Sequence, residues 1–277
     1  TRMLPTEPRF EKLNRRYGER MVKALLWSWG GCSLEIAGAS DLVAYLETLY
    51  TADGLRAFDA GFMGSTCFDQ RFRIAAVDAI EEPSAAQQPV PLNYESRGCR
   101  IGFDLGGSDR KCAAIIEGEV VFSEEVKWDP YFESDPHYHL DGIRDSLQRA
   151  AAKLPQVDAI GGSAAGIYID NKPRVGSLFR GISKQDFEAL IQPVFQNLQK
   201  EYGGVPFVVA NDGDVTALSG AISMRDSAVL GISMGTSQAA GYVDSAGSIT
   251  GKFNELAFVP VDFRTDAPAD EWSGDLG

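Results

Sequence analysis

The chain has 277 residues, 44% of them hydrophobic and 23% charged, with a formal net charge of −13. That is the composition of a folded protein of about two domains, at ~100–200 residues each. The negative field argues against nucleic acid and anionic membranes as partners, and it repels ATP unless local groups and a metal ion hold it. No apolar run approaches the ~18–20 residues needed to span a bilayer.

Taken in chain order, Phe10 to Trp29 reads as a helix. Asp41 to Tyr50 reads as a second one, with Leu42, Tyr45, Leu46 and Leu49 on one face and Ser40 or Asp41 as cap. Arg71 to Ala79 alternates weakly, as a strand would. Glu81 to Arg97 is rich in Pro, Ser, Gln and Ala without apolar periodicity, the composition of a linker. Nothing before it carries a chemical motif, and a packing or oligomerisation role is the expectation for that part. Cys32, Cys67, Cys99 and Cys112 form no C-x-x-C pair, so reduced thiols in a cytoplasmic protein are expected.

After the linker the pattern changes. Arg100 to Asp104 is a short apolar run that leads into Leu105-Gly106-Gly107-Ser108. Cys112 to Ile116 and Val120 to Val126 are strands joined at Glu117-Gly118, a hairpin signal. Pro136 to Leu154 is a helix started by proline. Val157 to Ile160 is a strand that enters a Gly-rich turn. Ser183 to Lys200 reads as one long helix, with Ser183 and Asp186 as its cap. Val205 to Ala210 runs into Asn211-Asp212, a small-residue helix spans Asp214 to Ile222, and Ala228 to Ser233 is again a strand. Strands alternating with helices, with early hairpins, give an α/β class with mixed sheets.

One pattern recurs. Gly102-x-x-x-Gly106-Gly107-Ser108 returns as Gly231-x-x-x-Gly235-Thr236-Ser237, an offset of 129 residues at each shared position. Both copies sit at a strand end. A glycine turn lets consecutive backbone N–H groups converge on an anion, and the Ser or Thr adds a hydroxyl. Two such turns facing one cleft would grip a polyphosphate. The competing reading is two hairpins with Gly at bulges.

These residues resemble the ROK family of sugar kinases and repressors, in the actin and hexokinase superfamily. Ile101 to Ser108 resembles its first phosphate motif. Val209-Ala210-Asn211-Asp212 resembles the segment holding sugar contacts and the catalytic base, Ile232 to Ser237 the second phosphate motif, and Asn254 to Val261 the G-E-x-G-H segment. The resemblance covers about Arg100 to Asp262. It implies a ribonuclease H-like, actin-type ATPase fold in two lobes, with ATP and Mg²⁺ as cofactors. The chain departs from the pattern in having Asp109 where the family has Lys, and Ala257 and Phe258 where it has Gly and His. With no cysteine cluster either, zinc is not expected. The family's closing helical portion is not in the sequence, so the second lobe is expected to be incomplete. That would expose a sheet face around Leu230, Ile232, Tyr242 and Val243, to be covered by another chain, by the N-terminal hundred residues or by residues outside this sequence, and the chain should bind a sugar better than ATP.

Phosphoryl transfer to a hydroxyl needs phosphate donors, a metal site and a carboxylate near the acceptor. Asp104, beside the glycine turn, is the candidate Mg²⁺ ligand, through water. Asp212, at a strand end, is the candidate general base. Asn211 and Glu255 are candidate sugar ligands. Gly106, Gly107, Ser108, Gly235, Thr236 and Ser237 are candidate phosphate contacts. Plainer readings stand beside these: Asp104 as a turn former, Asp212 or Asp214 as a helix cap, and Glu255 as a solvated loop carboxylate. Arg110 and Lys111 could touch phosphate or simply alternate in exposure along a strand. Trp128, Tyr131 and Phe132 could stack on a sugar or pack a loop. His137 and His139, two apart, do not share a helix face and are not expected to bind a metal jointly. The expected division is 1–97, 98–227 for the first lobe and 228–277 for the start of the second. The expected function is ATP-dependent sugar phosphorylation. The alternatives are a non-catalytic sugar-binding regulator and an actin-like ATPase acting on a protein partner. A sugar is the expected partner, a homodimer is allowed for, and neither nucleic acid nor membrane is expected.

Overall fold

The computed structural model describes residues 7–80, 97–234, 238–249, 251–262, 264 and 266–268. All but the last residue of the expected linker, and Gly235, Thr236 and Ser237, lie outside the described residues. The chain divides into two compact units, one of residues 1–88 and 251–277 and the other of residues 89–250.

In the first unit, α1 (Pro8–Trp29) opens with proline at its first turn and stops at Gly30, whose φ of 79° only glycine adopts at little cost. Next come β1 (Ser33–Ala37), α2 (Ser40–Leu49), α3 (Ala57–Gly61) and β2 (Arg73–Val77), with β1 and β2 paired in parallel. Ala39, not Ser40 or Asp41, holds the cap position of α2, with no side-chain cap bond. Trp27 is fully buried; its Nε1 donates to Asp59 Oδ1 at 2.7 Å and its ring stacks on Phe258. Residues from Gly251 onward group with this unit and not with the preceding strands, because Asn254 N and Glu255 N donate to Ser28 O and Trp27 O. Glu19 and Arg56 form a buried ion pair, and Lys23 and Asp59 are buried nearby.

The second unit is built on β3 (Cys99–Leu105), β4 (Asp109–Ile116), β5 (Glu119–Lys127), α4 (Pro136–Ala151) and β6 (Ala159–Ala164). A small hairpin, β7 (Ile167–Ile169) and β8 (Lys172–Val175), precedes α5 (Lys184–Asp186) and α6 (Val194–Glu201). Then come β9 (Phe207–Asn211), α7 (Asp212–Met224), β10 (Val229–Met234) and β11 (Gln238–Val243). The main sheet runs β5-β4-β3-β6-β9, antiparallel across β5, β4 and β3 and parallel across β3, β6 and β9. This is the mixed α/β sheet expected from the strand pattern. Glu117 (φ 49°) and Gly118 (φ 88°) make the β4–β5 turn, the left-handed pair a tight hairpin needs.

Alternation along β3 sets the two faces. Ile101, Phe103 and Leu105 are buried against Ile143 and Leu147 of α4 and Phe195 and Leu198 of α6. Burying side chains of this size contributes ~1.5–3 kcal/mol each. The long helix expected over Ser183 to Lys200 is interrupted. Ser183 does cap it, but a wider π turn spans Phe187–Ile191, and Pro193, which has no N–H, precedes α6. Around α7, Gly213, Ala217 and Ala221 recur every fourth residue, and the β10–β11 ribbon lies close on them. A Cβ on Gly231 would strike Ala217, and one on Gly241 would strike Asp214. Leu230 and Ile232 are exposed as expected, but Val243 is fully buried with Val229 against Ala217 and Ala221, because it points to the α7 side. No helix among the described residues is long and apolar enough to cross a membrane.

Candidate active site

The other face of the main sheet is small and polar. Strand register sets Glu125, Lys111, Asp104 and Ser163 in one row across β5, β4, β3 and β6. The neighbouring row is Ser123, Ala113, Gly102 and Gly161. A Cβ built on Gly102 or Gly161 meets nothing within 4 Å. Above this floor opens a cleft of about 920 Å³, within the size range of small-molecule sites. Its opposite wall is one face of α7: Asp212, Val215, Thr216 and Ser219, spaced i, i+3, i+4, i+7.

The two carboxylates singled out by the sequence, Asp104 and Asp212, both line this cleft. Asp212 occupies the first turn of α7, and its Oδ1 accepts from Gly213 N at 3.1 Å. Burial raises its proton affinity above the usual carboxylate range; backbone hydrogen bonds oppose this, and the charge of Asp104 adds to it. Neither Asp212 nor Asp214 is the cap of α7. Asn211 is: its Oδ1 accepts from Gly213 N at 2.7 Å while its Nδ2 donates to Gly166 O at 2.7 Å. Both ends of the Asn211 amide are thus engaged in placing the helix start, and Asn211 does not line the cleft. Glu255 belongs to the first unit, where its N–H donates to Trp27 O.

The first glycine turn borders the cleft. Gly106 N donates to Asp109 O at 2.9 Å and Gly106 O accepts from Trp128 Nε1 at 2.7 Å, so both backbone groups of Gly106 hold the turn closed. Gly107 lies directly under the Tyr131 hydroxyl, where a Cβ would collide with it. Ser108 is not among the lining residues, and its Oγ donates to Asp109 Oδ2 at 2.8 Å. Lys111 is the one basic side chain lining the cleft among the described residues. Its Nζ donates to Asp109 Oδ1 at 2.5 Å and stands 3.7 Å from Asp104 Oδ2. Bonds from Lys111 and Ser108 hold the Asp109 carboxyl below the usual range.

Several contributors were weaker in the sequence. Lys111 became a cleft residue only once register set it opposite Asp104. Tyr131 and Trp128 anchor the glycine turn, which two aromatics shortly after a strand do not announce. Ser163, Thr216 and Ser219 carry no motif; the i, i+3, i+4, i+7 spacing on α7 is the one signal for Thr216 and Ser219, and Ser163 has none. His139 is fully buried with its Nε2 between Pro130 O and Leu178 O, and His137 pairs with Asp135. Among the described residues no group of three or more His, Cys, Asp or Glu is placed to hold a metal ion.

No protein-family model matches this sequence, and no curated protein matches it. Solved structures do. The ROK hexokinase from Thermus thermophilus is 19% identical, with 62% of this chain and 55% of that one covered and a TM-score of 0.48. The inorganic polyphosphate/ATP-glucomannokinase from Arthrobacter sp. strain KM is 19% identical, with 61% and 66% covered and a TM-score of 0.47. A ROK family transcriptional regulator, a homolog of the E. coli MLC protein, is 19% identical, with 66% and 46% covered and a TM-score of 0.47. The structural neighbours thus include members of the family that the sequence motifs resemble. The chain spans about half to two thirds of the length of the solved structures it matches.

Proposed function

We propose that the second unit carries the acceptor half of a sugar kinase site, in which a sugar hydroxyl is phosphorylated from ATP. The observation that supports this most is the pairing of Asp104 and Asp212 across one cleft, beside the Gly106–Gly107 turn. A carboxylate whose proton affinity is raised by burial is suited to take a proton from a hydroxyl. In this reading an Asp212 carboxylate oxygen accepts the proton as the sugar oxygen bonds to phosphorus and the bond to the departing diphosphate breaks. Asn211 fixes Asp212 by capping α7. Mg²⁺ fits the residues present, because it keeps most of its waters and asks for only one or two carboxylates; Asp104 would hold it, through water. MgATP, when bound, supplies the phosphoryl group and neutralises its developing charge. Lys111, the one basic side chain lining this cleft among the described residues, would offset part of the phosphate charge. Gly107 makes room for the Tyr131 ring, which closes this end of the cleft. Gly235, Thr236 and Ser237 as phosphate contacts, and Glu255 as a sugar ligand, stand on the sequence motifs alone.

A thermal-shift screen against a sugar panel, with and without MgATP, tests the reading. A sugar-dependent rise with turnover is expected of the kinase. The same rise without turnover is what a non-catalytic regulator gives. No response to any sugar removes the proposal. In the active protein, Asp212→Asn should lower turnover by ~10²–10⁴-fold while sugar binding persists; near-normal turnover would make Asp212 structural.

A further inference from the structure

The turn between β3 and β4 has the chemistry of an anion site, and a carboxylate of its own chain already stands at it. Asp109 opens β4, and alternation along the strand puts its side chain on the same face as that of Lys111. Ser108 Oγ donates to Asp109 Oδ2 at 2.8 Å, and Lys111 Nζ donates to Asp109 Oδ1 at 2.5 Å. One hydroxyl and one ammonium thus close on the two oxygens of a carboxylate, as they would on two oxygens of a phosphate. The carboxylate also lies beside the glycine turn, since a Cβ on Gly106 would come 3.6 Å from Asp109 Oδ1. The bond from Lys111 foremost, and that from Ser108, hold the Asp109 carboxyl below the usual range, so it stays ionised at neutral pH.

The rest of the turn is engaged as well. Trp128 N donates to Ser108 O at 3.1 Å, and the Tyr131 hydroxyl covers Gly107. Arg180 keeps Tyr131 there, with its guanidinium 4.3 Å from the ring centre and its Nε donating to Tyr131 O at 3.2 Å. Charge points the same way. The bond to Asp109 raises the proton affinity of Lys111, partial burial opposes this, and the charges of Asp109, Asp104 and Glu125 add to it. One cation facing three carboxylates leaves a field that repels a polyphosphate and is indifferent to a neutral sugar.

We propose that Asp109 is a specificity determinant of this cleft, an internal anion that holds Ser108 and Lys111 against nucleotide phosphate and leaves a neutral sugar unaffected. The inference rests on the kinase reading for the identity of the competing anion. A triphosphate must displace the carboxylate before it can use either donor, so Asp109 sets the nucleotide affinity of the site.

Calorimetric titration of the 277-residue chain with the magnesium complex of the β,γ-imido analogue of ATP tests it, with adenosine as the control that carries no phosphate. Asp109→Asn keeps the shape and removes the charge, and it should bind the triphosphate about tenfold more tightly or better. Asp109→Ala, which withdraws the acceptor, should do the same, and unfolding midpoints near the parent's would show both variants folded. Adenosine should bind parent and variants alike. Adding Lys111→Ala to Asp109→Asn should remove most of the gain, a coupling that a merely structural Asp109 would not produce. Triphosphate affinity unchanged in both folded variants would overturn the proposal. So would a gain that adenosine shares, or one indifferent to Lys111→Ala. Sugar turnover is read separately: its absence beside an intact gain would remove the kinase reading and leave this inference standing.

Discussion

Gly161 and Gly162 are adjacent in the chain and stand on opposite faces of the same sheet. A Cβ on Gly162 would fall into the Phe103 ring, whereas one on Gly161 would meet nothing within 4 Å. Gly162 is required by packing, and Gly161 leaves open space on the cleft side. The same division holds along β3, where Phe103 serves the core and Asp104 the cleft. Sequence alternation therefore separates what stabilises this unit from what acts in it.

Substitutions on the two faces sharpen that contrast. The largest stability effect is expected from Phe103→Ala, which removes a ring packed with Phe195 and Phe207. It should cost ~3–5 kcal/mol, read from urea unfolding. Gly162→Ala should follow at ~1–3 kcal/mol, the usual penalty for overpacking. Gly161→Ala should change stability by no more than ~0.5 kcal/mol. Equal losses from the two glycine variants would mean that the faces are not distinct.

The smallest effect is a pH dependence of opposite sign at two carboxylates. The proton affinity of Asp212 is raised by folding, so its contribution is most favourable at low pH and declines as pH rises through the raised value. That of Asp109 is lowered, so its contribution is present above the usual carboxylate range and is lost as pH falls through the lowered value. Unfolding midpoints at stepped pH should show Asp212→Asn flattening the first slope and Asp109→Asn the second. A variant that leaves its slope unaltered would show that the carboxylate does not titrate with folding.

Much of the second unit was legible in the sequence, for a local reason. Its strands alternate, its hairpin turn carries Glu117-Gly118, and α4 begins at a proline. Asp104 and Asp212 sit at strand ends, where a sheet presents side chains to a crevice. The two copies of the glycine repeat look alike in sequence, and the described residues show a difference: Gly102 faces open space, while Gly231 admits the close approach of Ala217. Sequence gives the need for a missing Cβ but not which neighbour imposes it. The break before α6 was marked by Pro193 and hidden by strong apolar periodicity. Least legible was the first unit, whose buried ionic residues look in sequence like an ordinary charged helix face. Arg56 and Asp59 meet Glu19 and Trp27 only after the chain has returned past α2.

The placement of the four cysteines, all free thiols, has a practical consequence. Cys67 is buried in the first unit; Cys99 and Cys112 are buried in the second, and burial pushes the Cys112 thiol up. Only Cys32 is partly open to solvent. A thiol reagent should therefore label one site promptly and wait on structural opening for the other three, since the thiolate must form and be reached. Mass spectrometry of timed labelling would then follow the opening of each unit separately, with the natural side chains as reporters and no introduced probe.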